Sequence, residues 1–286
     1  MSISVSQLEL EVGREHPISF TKYLPEGEAV KALLISSATA VPQRYYGKFA
    51  EYSAKNGFVA YTFDYSGFGA SGGSSLPYLK SHKYGVKGWG AKDQAAMVKL
   101  IQENHPNLKV VLVTHSIGGQ IVGFNPHYTA FEKVVMAASQ SGYWRTYSGW
   151  DSVRLWLFWY FFIPVFTPIF GYYPGKLIGI VDNLPKSVVR EWRKWGVQKE
   201  YFMHYHNEAE YHFDKLKVPL RMYSFTNDTF ASKKGVDWLA GQYKNAKVER
   251  IHFDKSGDGR KPKHFGFFKE EFKKEFWKPT LNWFLK

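Results

Sequence analysis

The chain has 286 residues, of which 44% are hydrophobic and 18% aromatic, a length suited to one α/β domain carrying one insertion around a substantial core. It contains no cysteine, which excludes disulfides, thiol nucleophiles and cysteine-based zinc sites and leaves serine, histidine and carboxylates as the available chemistry. The formal net charge of +13 favours anionic surfaces, but the lysines scattered over 186–199 and 255–278 accompany no zinc-finger, RNP-type or helix-turn-helix pattern, so no nucleic-acid partner is expected.

Residues 1–12 alternate apolar and polar side chains and lack the basic start and apolar core of a signal peptide, so they read as a first strand of a cytoplasmic protein. A second strand is expected at 16–23, after a turn at 13–15. Six more follow at 31–37, 58–64, 109–114, 133–138, 220–225 and 248–253, mostly apolar throughout, as strands buried on both faces are. Helical patterns lie between them at 45–56, closed by Gly57, at 90–105, before Pro106, and at 232–243. Phe268, Phe272 and Phe276 recur on one helical face until Pro279 interrupts or restarts the helix. The order predicts a mostly parallel eight-stranded sheet with helices on both faces.

Residues 140–214 break the alternation, show no strand pattern and are crowded with aromatics, which marks an insertion; the core is expected at 1–139 and 215–286. The apolar run at 155–173 is long enough to raise the question of a bilayer span, but Pro164, Pro168 and Gly171 favour a lid of short helices over a pocket. Weak association with an anionic membrane surface through the same aromatics is compatible with the basic charge.

The most informative segment is V-V-L-V-T-H-S-I-G-G at Val110 to Gly119. A buried strand runs into a sharp turn that opens a helix, an imperfect G-x-S-x-G with Thr114 at the first glycine. Ser116 falls at the tip, where backbone N–H groups of the helix start point toward its hydroxyl. His115, its neighbour, is expected to point away and pack. A serine nucleophile needs a histidine to take its proton and a carboxylate to orient that histidine. Asp228, just beyond the strand at 220–225, and His264, on the loop before the closing aromatic segment, come in suitable chain order. Asp228 reads equally as a turn or N-cap residue. His252 is the rival histidine, but it lies inside a strand pattern. An oxyanion hole would take backbone N–H groups from Ile117 and, after the strand at 31–37, from Thr39. The glycine-rich F-D-Y-S-G-F-G-A-S-G-G at Phe63 to Gly73 meets G-x-G-x-x-G only weakly, and a packed turn suits it better than a phosphate loop. No metal or other cofactor is expected, since no ligand spacing such as H-E-x-x-H is present.

With V-P-Q-R-Y-Y at Val41 to Tyr46, F-D-Y-S-G-F-G-A-S at Phe63, H-S-I-G-G-Q at His115, Q-S-G-Y-W-R at Gln140 and K-H-F-G-F-F at Lys263, the chain resembles the α/β-hydrolase superfamily. More narrowly it resembles predicted α/β hydrolases related to serine aminopeptidase-like and monoglyceride-lipase-like enzymes. The resemblance implies a triad of Ser116, Asp228 and His264 and an aromatic cap between the sixth and seventh strands. Two departures stand out: Thr114 where relatives usually have glycine, which could strain the serine turn, and Ser66 where the related D-x-R-G-x-G-x-S turn usually has arginine.

The reading that follows is a serine hydrolase acting on a small-molecule carboxylic ester, or less favourably a thioester or amide, with an apolar or aromatic portion. Trp144, Tyr147, Trp150, Trp156 and Trp159 are the candidate pocket residues, although at least half of such rings would be cap core. An acyltransferase using the same triad and a non-catalytic binding protein of the same fold stay open as alternatives. The sequence does not fix the oligomeric state.

Overall fold

The computed structural model describes residues 2–13, 15–178, 182–207 and 209–286. Its eight strands are β1 (Ile3–Leu10), β2 (Ile18–Pro25), β3 (Lys31–Ser36), β4 (Phe58–Phe63), β5 (Val110–His115), β6 (Phe131–Ala137), β7 (Leu220–Phe225) and β8 (Val248–Phe253). They form one sheet in the order β1-β2-β4-β3-β5-β6-β7-β8. β1 and β2 form an antiparallel hairpin that pairs antiparallel with β4, and every other neighbouring pair is parallel. The expected turn at 13–15 includes Arg14, outside the described residues.

Burial follows the apolar pattern. β3, β4 and β5 are buried along almost their whole length because helices cover both faces, whereas β1 at the edge is mostly exposed. The helices differ from their expected form in three places. The segment at 45–56 begins as a 3₁₀ turn, Gln43–Tyr46, before the α-helix Gly47–Lys55. The helix at 90–105 opens with a π-turn at Trp89–Gln94, ahead of Ala95–Asn104. Phe268, Phe272 and Phe276 are all buried, but on successive 3₁₀ and π turns. Pro279 follows closely on the π-turn Lys273–Trp277, whose shifted hydrogen bonding accommodates a residue without an N–H.

Between β6 and β7 the described chain is helical, with one isolated bridge from Tyr173 to Leu184. The apolar run is not a set of short helices: Gly149–Leu157, Phe158–Phe162 and Ile163–Phe170 join into one 22-residue helical stretch. The middle piece is a π-turn lying directly before Pro164, where the shifted hydrogen bonding accommodates a residue without an N–H. Gly171 ends the run with φ of 78°, a left-handed cap.

The glycine-rich turn after β4 packs as a structural element. Asp64 accepts from the backbone N–H of Gln43 at 2.7 Å and of Ala70 at 3.0 Å, and burial raises its pKa despite these donors. Ser66, at the position of the missing arginine, donates its hydroxyl to buried Asp93 at 2.8 Å. His82 Nε2 lies 3.1 Å from that same hydroxyl, and His82 Nδ1 lies 3.0 Å from the Ser187 hydroxyl, which donates to the Tyr84 carbonyl. His82 thus bridges the Ser66 turn to Ser187 on the helix Lys186–Gly196.

Candidate active site

Ser116 is the bend between β5 and the short helix Ile117–Gln120, with φ 52° and ψ −115°. A non-glycine residue in that region is strained and persists only where its surroundings fix it. Here Ser116 N–H donates to the Ala137 carbonyl at 2.9 Å, tying the bend to the end of β6. Gly118 and Gly119 allow the tight approach. A Cβ on Gly118 would meet the Ser36 carbonyl at 2.6 Å, and one on Gly119 would meet Thr114 Oγ1 at 2.8 Å as well as the Ser139 side chain. Thr114 therefore does not strain the turn, contrary to expectation. It lies in β5 with its hydroxyl 3.3 Å from that of Ser139, in room left by Gly119, and the strained dihedral belongs to Ser116 alone.

Asp228 follows Asn227, whose φ of 61° turns the chain out of β7. Its Oδ1 accepts from the N–H groups of Phe230 at 2.8 Å and Ala231 at 2.9 Å, so the turn-forming role expected for an aspartate here is present. The same carboxylate reaches His264 Nδ1, at 2.9 Å from Oδ2 and 3.1 Å from Oδ1. A carboxylate only accepts, so Nδ1 carries a proton and, in the neutral ring, Nε2 holds the free lone pair. Ser116 and His264 line one cavity of about 430 Å³. Within the described residues Ser116 Oγ makes no hydrogen bond, an open contact of the kind that tightens when substrate fills such a site. His252 stays in β8, 2.9 Å from the Ser224 hydroxyl, and does not line this cavity.

Thr39 lines the cavity next to Ser116, and Ile117 is the first residue of the following helix. Neither backbone N–H is taken by a described acceptor. The Thr39 loop is fixed from behind: Ala38 N–H donates to the Tyr46 hydroxyl at 2.7 Å. That hydroxyl lies 3.0 Å from His115 Nδ1, and His115 Nε2 lies 2.9 Å from the carbonyl of His264. Because the carbonyl accepts, Nε2 bears the proton, Nδ1 accepts, and Tyr46 donates to it. One directed chain thus joins the Thr39 loop, the residue before Ser116 and the backbone of His264. His115 is therefore not merely a packing residue. Its pKa is held well below the usual histidine value, first by burial and then by His264 nearby, which keeps the ring neutral as the network requires. The motif V-P-Q-R-Y-Y contained Tyr46, but only the fold brings it to His115.

Residues between β6 and β7 supply much of the rest of the wall. Of the expected pocket residues, Tyr147 and Trp159 line the cavity, whereas Trp144, Trp150 and Trp156 do not. Helical spacing is the reason. Leu155, Phe158, Trp159 and Phe162 share the inward side of the long helical stretch, which turns Trp150 and Trp156 to solvent. Trp144 precedes that stretch and packs partly buried against the core beneath Arg145. Leu155, Phe158 and Phe162 are spaced three and four residues apart, a helical signal by which the sequence could have found them. Trp192, Phe230 and Phe265 close the apolar wall from other elements. Three groups between β6 and β7 also hold the loop after Asp228. Gln140 Nε2 donates to the Phe230 carbonyl at 2.9 Å, the Tyr147 hydroxyl donates to the same oxygen at 2.8 Å, and Arg154 donates to the Thr229 carbonyl. Burial, and secondarily the Asp228 charge, push the Tyr147 hydroxyl's pKa up, so it stays a donor. Among the described residues no cluster of histidine and carboxylate suited to a metal ion is found.

The sequence matches the serine aminopeptidase (S33) family over residues 28–162. In solved structures, a carboxyl esterase from Bacillus coagulans superposes with a TM-score of 0.64 at 13% identity, covering 100% of this chain and 98% of that one. The chain therefore has the α/β-hydrolase fold. An esterase from Pyrococcus furiosus superposes with a TM-score of 0.63 at 15% identity, over 99% of this chain and 91% of its own. A lipase in an open form gives 0.62 at 13% identity, over 98% and 97%. No curated protein sequence is significantly similar to this chain.

Proposed function

We propose that the protein hydrolyses carboxylic esters with an apolar acyl portion through an acyl-enzyme on Ser116. The observation that carries this reading is the shared cavity: Ser116 on a strained turn and His264, its far nitrogen held by Asp228, border the same apolar space. His264 Nε2 takes the hydroxyl proton as Ser116 Oγ attacks the ester carbonyl. The oxyanion forms against the N–H groups of Thr39 and Ile117, a contribution of about 2.7–4 kcal/mol per donor in related chemistry. The imidazolium returns the proton to the leaving alcohol, and water repeats the sequence to release the acid. Asp228 keeps Nδ1 protonated and the ring oriented. Residues 140–214 act in this scheme as a cap whose aromatic side chains receive the acyl group. The esterase and lipase functions of the structural neighbours agree with this reading.

Turnover of p-nitrophenyl esters of increasing acyl length, by wild type and Ser116→Ala, tests it. The expected outcome is kcat/KM that rises with acyl length while the apolar wall fills, and turnover at background level for Ser116→Ala. Retained turnover in Ser116→Ala, or no dependence on acyl length, would contradict it.

A further inference from the structure

The long helical stretch Gly149–Phe170 presents a second apolar side that the cavity does not use. Its inner side is accounted for, because Phe158, Trp159, Ile163 and Thr167 are buried. On the outer side Trp150, Val153, Trp156, Phe161, Val165 and Ile169 recur every three to five residues and all face solvent, Trp150 and Ile169 at 74% and 70% exposure. At ~1.5 Å per residue this stripe is about 29 Å long. Contiguous apolar surface of that extent marks a contact site.

We infer that this face docks the protein on an anionic lipid bilayer, with the helix lying in the plane of the headgroups. Three observations select this occupant. Trp150 and Trp156 on an otherwise hydrocarbon stripe suit the boundary between headgroups and acyl chains. The charges within the stretch, Asp151 and Arg154, lie 3.7 Å apart and cancel, while cations stand at both ends: Arg145 just before it, and Lys80, whose side chain lies against Gly171. The chain's net charge of +13 attracts an anionic surface and repels a second copy of itself. The helix lies on the bilayer and does not cross it, because its inner side is fastened to the protein. Trp159 Nε1 donates to the Gly142 carbonyl at 3.0 Å, and Arg193 Nε donates to the Trp159 carbonyl at 2.7 Å. The same helix carries Leu155, Phe158 and Phe162 on the wall of the Ser116 cavity, so docking holds that cavity one helix's width from the bilayer.

The test uses the full chain and vesicles of phosphatidylglycerol or phosphatidylcholine, with co-sedimentation at low and high salt. Wild type is expected to bind phosphatidylglycerol vesicles, to keep part of that binding at high salt, and to show tryptophan quenching by brominated acyl chains. Phe161→Glu/Ile169→Glu should lower the partition coefficient at least about tenfold, while melting and turnover of a short-chain soluble ester stay at wild-type values. Failure to bind, binding unchanged in the double variant, or binding wholly abolished by salt would overturn the inference. So would a wild-type dimer that the double variant dissociates without change in vesicle binding. If no protein turns over ester but the variant alone loses the vesicles, docking stands and the hydrolase reading falls.

Discussion

Replacing Tyr46 by phenylalanine removes one buried oxygen and should separate positioning from packing in the candidate site. The hydroxyl accepts from Ala38 N–H at 2.7 Å and donates to His115 Nδ1 at 3.0 Å, and the side chain is fully buried. Phenylalanine fills nearly the same space, so what is lost is the partner of one buried donor and one buried acceptor. Each unsatisfied group costs about 1–3 kcal/mol, and roughly 2–4 kcal/mol is expected for the two together after relaxation. At ~2 °C per kcal/mol for a chain of this size, the melting temperature should fall by roughly 4–8 °C. The same bonds locate the Thr39 loop and, through His115, the His264 carbonyl, so part of the loss belongs in the barrier. About 1.4–2.8 kcal/mol there corresponds to a tenfold to hundredfold fall in kcat, with KM for a short p-nitrophenyl ester little changed. Tyr61→Phe is the control, since it deletes a buried hydroxyl whose partner, His105 at 2.8 Å, lies outside the site. It should lower the melting temperature and leave kcat within about twofold. If Tyr46→Phe behaves like Tyr61→Phe, the hydroxyl stabilises the fold without positioning the reacting groups, and the reasoning is refuted.

Thr114→Gly, which restores the G-x-S-x-G pattern, should destabilise the protein, because it removes a buried side chain and puts glycine inside β5. A loss of about 1–3 kcal/mol is expected from the urea midpoint, with kcat of the folded enzyme unchanged; a gain in stability would mean that Thr114 strains the turn after all. Stability should also fall with acid. The pKa values of His105, His115, His206, His212 and His252 are all depressed in the fold, in each case first by burial. Their contribution is complete above the unfolded value near 6.5 and is lost as pH falls toward the lower folded values, because the unfolded chain takes up protons first. The raised pKa values of Asp64 and Glu191 act in the opposite sense, at lower pH. Melting temperatures measured from about pH 8 to about pH 5.5 should therefore decline, and a flat or rising profile would contradict the buried-neutral histidines.

The strands were legible because each apolar run stands between turn residues. The segments read at 220–225 and 248–253 coincide with β7 and β8, and β3, β4, β5 and β6 fall within two residues of their expected ends. Ser116, Asp228 and His264 were accessible for a related reason: strand ends follow from local patterning, and residues just beyond them share one edge of a parallel sheet. Contacts made across the sheet were not legible. Tyr46 and His115 are far apart in sequence, and nothing local says that one will donate to the other. The cap aromatics failed in a different way. Trp150 lies nine residues from Trp159, on the opposite side of the helix, and Trp156 falls at the edge of the inward side, half exposed, so proximity in sequence to Trp159 misplaced both. The long helix was hidden by Pro164 and Pro168, which read as breaks until a π-turn absorbs the first of them.

The central claim is that Ser116 is an activated nucleophile, and labelling with a fluorophosphonate followed by peptide mapping tests it most directly. One adduct per chain is predicted, on the peptide containing Ser116, absent from Ser116→Ala and formed far more slowly in His264→Ala. An unlabelled wild type, or equal labelling of Ser116→Ala, would contradict it.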